Sequence, residues 1–315
     1  MPVRLAFGAV DHAAPFSFTA IRSAAMRIVP VVLAVAIGAV LPGRVPAAGF
    51  LALAVIVGLP HGAFDHKVAR RAFERGHGAG WWRPFLAGYL ALAAAMLLIW
   101  WALPVLALSI FLLLSIFHFG DQDAPAQASH RSIRIVAHGG VPIIVSAVCH
   151  PEAIERLLAA LVPGHAHIVT MLLAEPVALL WLGAVICTLI AYAARGRADD
   201  WTVGADLILV TLLFAVAPPL IAFALYFAAI HAPRALTAAM PAGGMRAGEL
   251  VLPLVLTVLG LGLGAVISTT GTAAPTGDNV VRTAFLLLSA FTVPHMWLDW
   301  RARMASGGPV APTYN

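Results

Sequence analysis

Five of the twelve histidines in this 315-residue chain stand in or at the ends of long apolar runs. His61 lies in Gly58-Leu-Pro-His-Gly-Ala-Phe-Asp65 and His118 in Ser115-Ile-Phe-His-Phe-Gly120. His138 lies in Ala137-His-Gly-Gly140, His231 closes Tyr226-Phe-Ala-Ala-Ile-His, and His295 lies in Thr292-Val-Pro-His-Met296. Neutral imidazole is a ligand suited to iron, copper, zinc or nickel. A ligating histidine usually passes its second N–H to a carboxylate or carbonyl. Three acids stand at helical spacing for that role: Asp65 four residues after His61, Asp121 three after His118, and Asp299 four after His295. A single histidine at a helix end is commonly interfacial or satisfied by a carbonyl. Five of them on five separate runs point to a shared metal site, because polar groups inside hydrocarbon are costly and usually functional.

The elements that must position these residues follow from composition. The chain is 61% apolar and 10% charged, where a soluble chain carries about 25% charged residues. Mean hydropathy is +0.93. A soluble globular enzyme and a disordered chain are both excluded. Cys149 and Cys187 make neither a disulfide framework nor a cysteine-based zinc site. The pI near 9.9 does not imply a nucleic-acid partner, because the net charge is only +5 and is scattered over loops. What remains is an all-α, polytopic transmembrane bundle. Ten spans of about 20 residues occupy about 200 positions, which leaves no room for a second domain.

The ten runs are Ile28 to Leu41, Pro46 to Phe64, the stretch after Trp81-Trp82-Arg83 to Leu103, and Pro104 to Phe119. Arg134 to Val148 follows, short and interrupted by Gly139-Gly140, then Pro176 to Ala194 and Val203 to Ala217. Beyond Pro218-Pro219 an eighth reaches Ala235, and the last two are Leu250 to Ile267 and Val280 to Trp297. Pro151 to Ala174 reads as a short interfacial helix and loop. Residues 1–27 and 304–315 read as tails around a single membrane domain, 28–303. The first run also has a signal-peptide pattern, with Arg22 and Arg27 before it and small residues after it. No fixed-period repeat and no barrel-like alternation is present.

Charge orients the bundle. With the N-terminus cytoplasmic, 16 of the 19 Lys and Arg fall on the cytoplasmic side; Arg44, Arg156 and Arg282 fall on the other. Both termini are then cytoplasmic. The same arrangement puts His61, His118, His138, His231 and His295 in one leaflet, from five helices, which is how bundles assemble metal sites. Phe119, Tyr226, Phe227 and Trp297 lie at the same level and suit the wall of an apolar tunnel; an interfacial aromatic belt is the plainer account. Asp206 is a further costly acid with no evident partner. His66, His77, His130, His150, His165 and His167 lie near loops and read as surface residues, His66 least securely because it follows Asp65. His12 lies in the tail.

Five motifs in order carry a resemblance: Gly58 to Asp65, Ser115 to Gly120 with Asp123, Ala137 to Gly140, Pro218 to Phe227 with His231 and Arg234, and Thr292 to Met296. On these the chain, from Gly58 to Trp297, resembles the Brp/Blh family of bacterial and archaeal β-carotene 15,15′-dioxygenases. The resemblance implies a helical membrane enzyme that uses Fe(II) and O₂ to split β-carotene into two retinals, often for a rhodopsin. It implies iron ligands at His61, His118 and His231. The family's fourth ligand falls four residues after His231, where this chain has Ala235. Either His66, His138 or His295 supplies the missing nitrogen, with Asp65 and Asp121 as supporting groups, or three histidines and water hold the metal.

This chemistry suits the bilayer, where the substrate dissolves. A diverged carotenoid- or retinal-binding membrane protein, non-catalytic or acting on another polyene, is the alternative reading. A metal or proton transporter is disfavoured, because the outer leaflet carries almost no ionisable group and the two halves show no repeat.

Overall fold

The computed structural model describes residues 64–124, 130–172, 175–234 and 277–305, with isolated positions at 62, 251, 255, 259 and 262. The first run and most of the second and ninth lie outside the described residues, as do His61 and Ala235.

Regular structure among the described residues is helical throughout. Helix α1 is Asp65–His77, and a 3₁₀ turn (Gly78–Gly80) leads to α2, Trp82–Ala102. Helix α3 is Pro104–Asp123. Proline at its first position has no N–H to leave unsatisfied and a φ already set for a helix. The same proline keeps Leu103 out of the α region and so ends α2. Helix α4 is Arg131–Gly139, and it continues through a π-turn (Val141–Val145) into α5, Ser146–Cys149. Gly139-Gly140 therefore does not break this rod, contrary to the expectation from sequence. Pro151 opens α6, Pro151–Leu161, and α7 is Ala166–Leu172, so a second helix stands where a loop was expected. Then come α8, Glu175–Arg195, and α9, Ala198–Val216. Helix α10, Pro219–Tyr226, runs into a π-helical segment, Phe227–His231. Helix α11, Gly277–Ala305, carries Pro294 inside it.

Among the described residues, five helices are long and apolar enough to cross a membrane: Trp82–Ala102, Pro104–Asp123, Arg131–Cys149, Glu175–Arg195 and Asp278–Met304. Their outward faces are apolar: Trp101 is 85% exposed and Leu180 78%. Water would make such surface unfavourable, so these helices point to a membrane protein.

Glycines decide the central crossing. A Cβ on Gly120 would stand 2.0 Å from the carbonyl oxygen of Ile135, and one on Gly139 would stand 1.8 Å from that of Ile116. Helices α3 and α4 therefore meet backbone to backbone, the close packing that small residues permit inside lipid. Two of the five motifs supply these glycines, and His118 lies two residues from the crossing. Trp100 of α2 donates from Nε1 to Ser289 Oγ of α11 at 2.7 Å and ties the outer helices together.

Candidate active site

The last turns of α3, the π-segment after α10, and α11 bring three of the expected histidines together. His118 and His231 face each other with their Nε2 atoms 3.2 Å apart. Both are buried, His231 completely. The His295 ring lies edge-on to His118 with centroids 5.3 Å apart. His231 cannot swing freely: Phe227 stacks on it at 5.3 Å and Phe119 abuts its ring at 4.8 Å.

The π-segment has its own anchor. Asp123, at the end of the helix that carries His118, accepts from the Tyr226 hydroxyl at 2.7 Å and from Arg234 Nη1 at 3.0 Å. These two donors lie just before and just after Phe227–His231. Arg234 Nη2 also donates to Asp206 Oδ2 at 2.6 Å. One carboxylate thus joins both ends of the segment that presents His231 to the helix that presents His118. π-bulges of this kind occur often at functional sites. Sequence reasoning noted Asp123, Asp206 and Arg234 but assigned them no role. The available signal was two costly acids and an arginine one turn beyond His231.

Asp65 has a partner the sequence did not indicate. Its Oδ1 accepts from His295 Nδ1 at 2.6 Å, across 230 residues of sequence. Asp299, one turn beyond His295, stays 3.7 Å from its Nε2. Asp121 is removed from the site altogether: Arg131 holds it at 2.7 Å and Arg303 at 2.5 Å. His138 is also elsewhere, because its Nε2 meets the Tyr192 hydroxyl of α8 at 3.1 Å and pins α4 to α8. Trp181 adds a bond from Nε1 to the Ala137 carbonyl, 3.1 Å. His66 is on helix α1 rather than in a loop.

A cavity of about 470 Å³ opens beside the histidines. Asp65, His66, His118 and His295 line one end, and nearly all the remaining wall is apolar. Phe119 and Phe227 are part of that wall, together with Phe223, Phe111, Phe285 and Phe291. Tyr226 and Trp297 do not line it. Tyr226 is turned to Asp123, and Trp297 packs on Phe73 of α1 at 5.8 Å. The apolar face of α6 contributes Ile154, Leu157, Leu158 and Leu161, which sequence reasoning had assigned only to an interface.

The donor set suits a transition metal. Two imidazole nitrogens bound to one ion at about 2.1 Å each stand roughly 3 to 3.5 Å apart, and the His118–His231 separation falls in that range. Histidine bonded to a carboxylate through its other nitrogen, as His295 is to Asp65, is the common supporting arrangement at metal sites. Among the described residues alone, no three such side chains converge to hold an ion; His61 lies outside them.

The sequence profile described as beta-carotene 15,15'-dioxygenase matches residues 52–300. The chain is similar to the beta-carotene 15,15'-dioxygenase of an uncultured marine bacterium, 66A03. The two are 32% identical over 263 residues, covering 79% of this chain and 90% of that relative. It is also similar to the probable beta-carotene 15,15'-dioxygenase Blh of Halobacterium salinarum, 26% identical over 289 residues, covering 80% of this chain and 84% of the relative. No solved structure matches the chain.

Proposed function

The chain belongs to the β-carotene 15,15′-dioxygenase family, and from that premise we propose that it cleaves β-carotene at its central double bond inside a membrane. The observation that carries this reading is the buried His118–His231 pair, 3.2 Å apart, whose His118 lines one end of an apolar cavity. The reaction balances without a reductant. The C15=C15′ bond and the O–O bond break, two C=O bonds form, and both oxygen atoms leave in two molecules of retinal.

His61, His118 and His231 would hold Fe(II), with His295 as the further imidazole beside them. When bound, the iron supplies the open-shell chemistry that lets O₂ react with a closed-shell polyene. The protein's own part is placement. Phe227 and Phe119 fix the His231 ring, and Asp65 fixes His295. The apolar wall excludes water and accepts the hydrocarbon directly from lipid. Drawing a polyene into water would cost roughly 0.8 kcal/mol per CH₂-sized unit, so a site within the bilayer avoids a large penalty. No side-chain acid or base is required, because no net proton moves.

We further read the chain as a multi-pass protein of a bacterial or archaeal cell membrane, with ten spans and both termini cytoplasmic. Its partners are the carotenoid, O₂ and lipid, with a rhodopsin as a receiver of retinal. Expression of wild type and Ala235→His in β-carotene-accumulating cells tests the function. Retinal formed by wild type, with iron in the purified protein, supports it. Pigment retained without retinal in wild type, and retinal appearing only in Ala235→His, would instead mark a carotenoid-binding protein that has lost cleavage.

A further inference from the structure

Among the described residues, the cavity beside the histidines is closed at one end and exposed elsewhere on its wall. At the closed end Leu108, Leu158 and Leu161 are 0%, 4% and 1% exposed. At the histidine end the wall includes Leu86 and Leu90 of α2, which also face outward and are 44% and 57% exposed, and Leu259, also on the wall, is 63% exposed. A long apolar molecule can therefore enter from the exposed wall and stop against the closed end.

The depth can be read from two helices independently. On α3 the lining runs from Leu108 to His118, ten residues; on α11 it runs from Phe285 to His295, also ten. At 1.5 Å per residue each path is about 15 Å long. On α10 and its π-segment the wall runs from Pro219 to Phe227, with His231 buried just behind it. Helix α6 caps that end, with Leu158 and Leu161 packed in one cluster with Leu108 and Ala284.

Half of a symmetric C40 polyene has a matching length. Nine chain bonds lie between the central carbon and the ring, and at roughly 1.2 Å of reach per extended bond they span about 11 Å. The ring brings the half-molecule to about 15 Å on the same covalent dimensions.

We propose that this cavity is a blind arm of fixed depth that takes one half of the carotenoid ring first, and that its floor selects the bond to be cleaved. The ring stops against Leu108, Leu220, Phe285 and α6, and the central double bond then lies at the level of the histidines. The other half leaves past Leu86 and Leu90. This inference rests on the proposed cleavage and adds the device that makes it symmetric.

The test uses the full chain with the floor moved in both directions. Phe285→Ala deepens the arm and Leu157→Phe makes it shallower, while Leu180→Ala, on the outward face of α8 and not part of the cavity wall, is the control. Products from β-carotene are identified by chromatography and mass. The floor variants should convert at least a third of the product to unequal carbonyl pairs, such as C22 with C18. Wild type and Leu180→Ala should yield retinal alone. A second measurement needs no turnover: the iron-free protein is titrated with retinol by tryptophan quenching. Leu157→Phe should weaken retinol at least tenfold and leave a ring-capped C15 analogue within about twofold. Retinal as the sole product of either folded floor variant, with unchanged retinol binding, overturns the ruler and leaves cleavage standing. Absence of cleavage in every form, wild type included, overturns the proposed function and the ruler with it.

Discussion

At the residue scale, histidines that look alike in sequence divide into two jobs. His118 and His231 turn their nitrogens toward each other, whereas His138 turns to Tyr192 and serves packing. Aspartates divide in the same way, Asp65 supporting His295 and Asp121 neutralising Arg131 and Arg303. The first prediction follows from this division. His118→Ala and His231→Ala should each remove at least nine-tenths of the iron from purified protein. Asp65→Asn should weaken iron affinity by roughly 10- to 100-fold, the usual effect of losing a supporting carboxylate. Asp121→Asn should leave iron content unchanged. Metal analysis after dialysis against a graded chelator checks all four, and equal retention by wild type and His231→Ala would remove His231 from the site.

At the element scale, the π-segment and the glycine crossing hold the histidines in register. Asp123 bonds to Tyr226 and Arg234, on either side of Phe227–His231. Asp123→Asn keeps the shape but loses the charge that balances Arg234. Iron affinity should fall about tenfold or more, and the electron paramagnetic resonance of the nitrosyl-iron form should broaden as the ligand positions spread. Arg234→Met leaves Asp123 and Asp206 without their buried cation. It should lower stability by roughly 3 kcal/mol, the low end for breaking a buried pair, because Arg234 keeps 28% exposure. Thermal unfolding in detergent measures that loss. The crossing is stricter still. Gly139→Leu forces a side chain to where the Ile116 carbonyl stands, 1.8 Å from the new Cβ. The expected result is loss of folded protein on size exclusion, whereas Gly183→Ala, where a Cβ meets nothing within 4 Å, should behave as wild type.

At the scale of the whole molecule, the chain is turned inside out relative to a soluble protein. Its half-buried Arg234 is paired with Asp123 and Asp206, Asp121 at the end of α3 is paired with Arg303 at the end of α11, and its outward faces carry leucine, isoleucine and tryptophan. The positive-inside distribution of 16 against 3 is the basis of the proposed orientation. Reporter fusions after Arg44 and after Arg75 should therefore land on opposite sides of the membrane, with Arg75 cytoplasmic. Both on one side would undo the ten-span count and the shared leaflet of the histidines. Arg134 is one of the 16, yet the fold buries it against the Tyr192 ring, 4.5 Å from guanidinium to centroid. A count of charges does not distinguish a residue that faces the cytoplasm from one enclosed just beneath it.

Helix existence and limits were legible from residue order because both are local. Hydropathy marks α2, α3 and α8 within a few residues and the start of α11, though not its polar end at Ala305, and Pro104, Pro151 and Pro219 start their helices for reasons of φ and a missing N–H alone. The motif histidines were legible for the same reason, since a polar side chain in an apolar run is visible without a fold. Which histidines meet was not. His138 and His118 belong to rods that touch along Gly120 and Gly139, yet they face different neighbours. That choice depends on rotation about each helix axis and on which helices are adjacent, and neither is encoded in any one segment. The partner of Asp65, 230 residues away, and the depth of the cavity between α3, α6, α10 and α11 are likewise sums over several helices. Only the packed bundle, with backbones drawn together at glycines and carboxylates shared across helices, decides them.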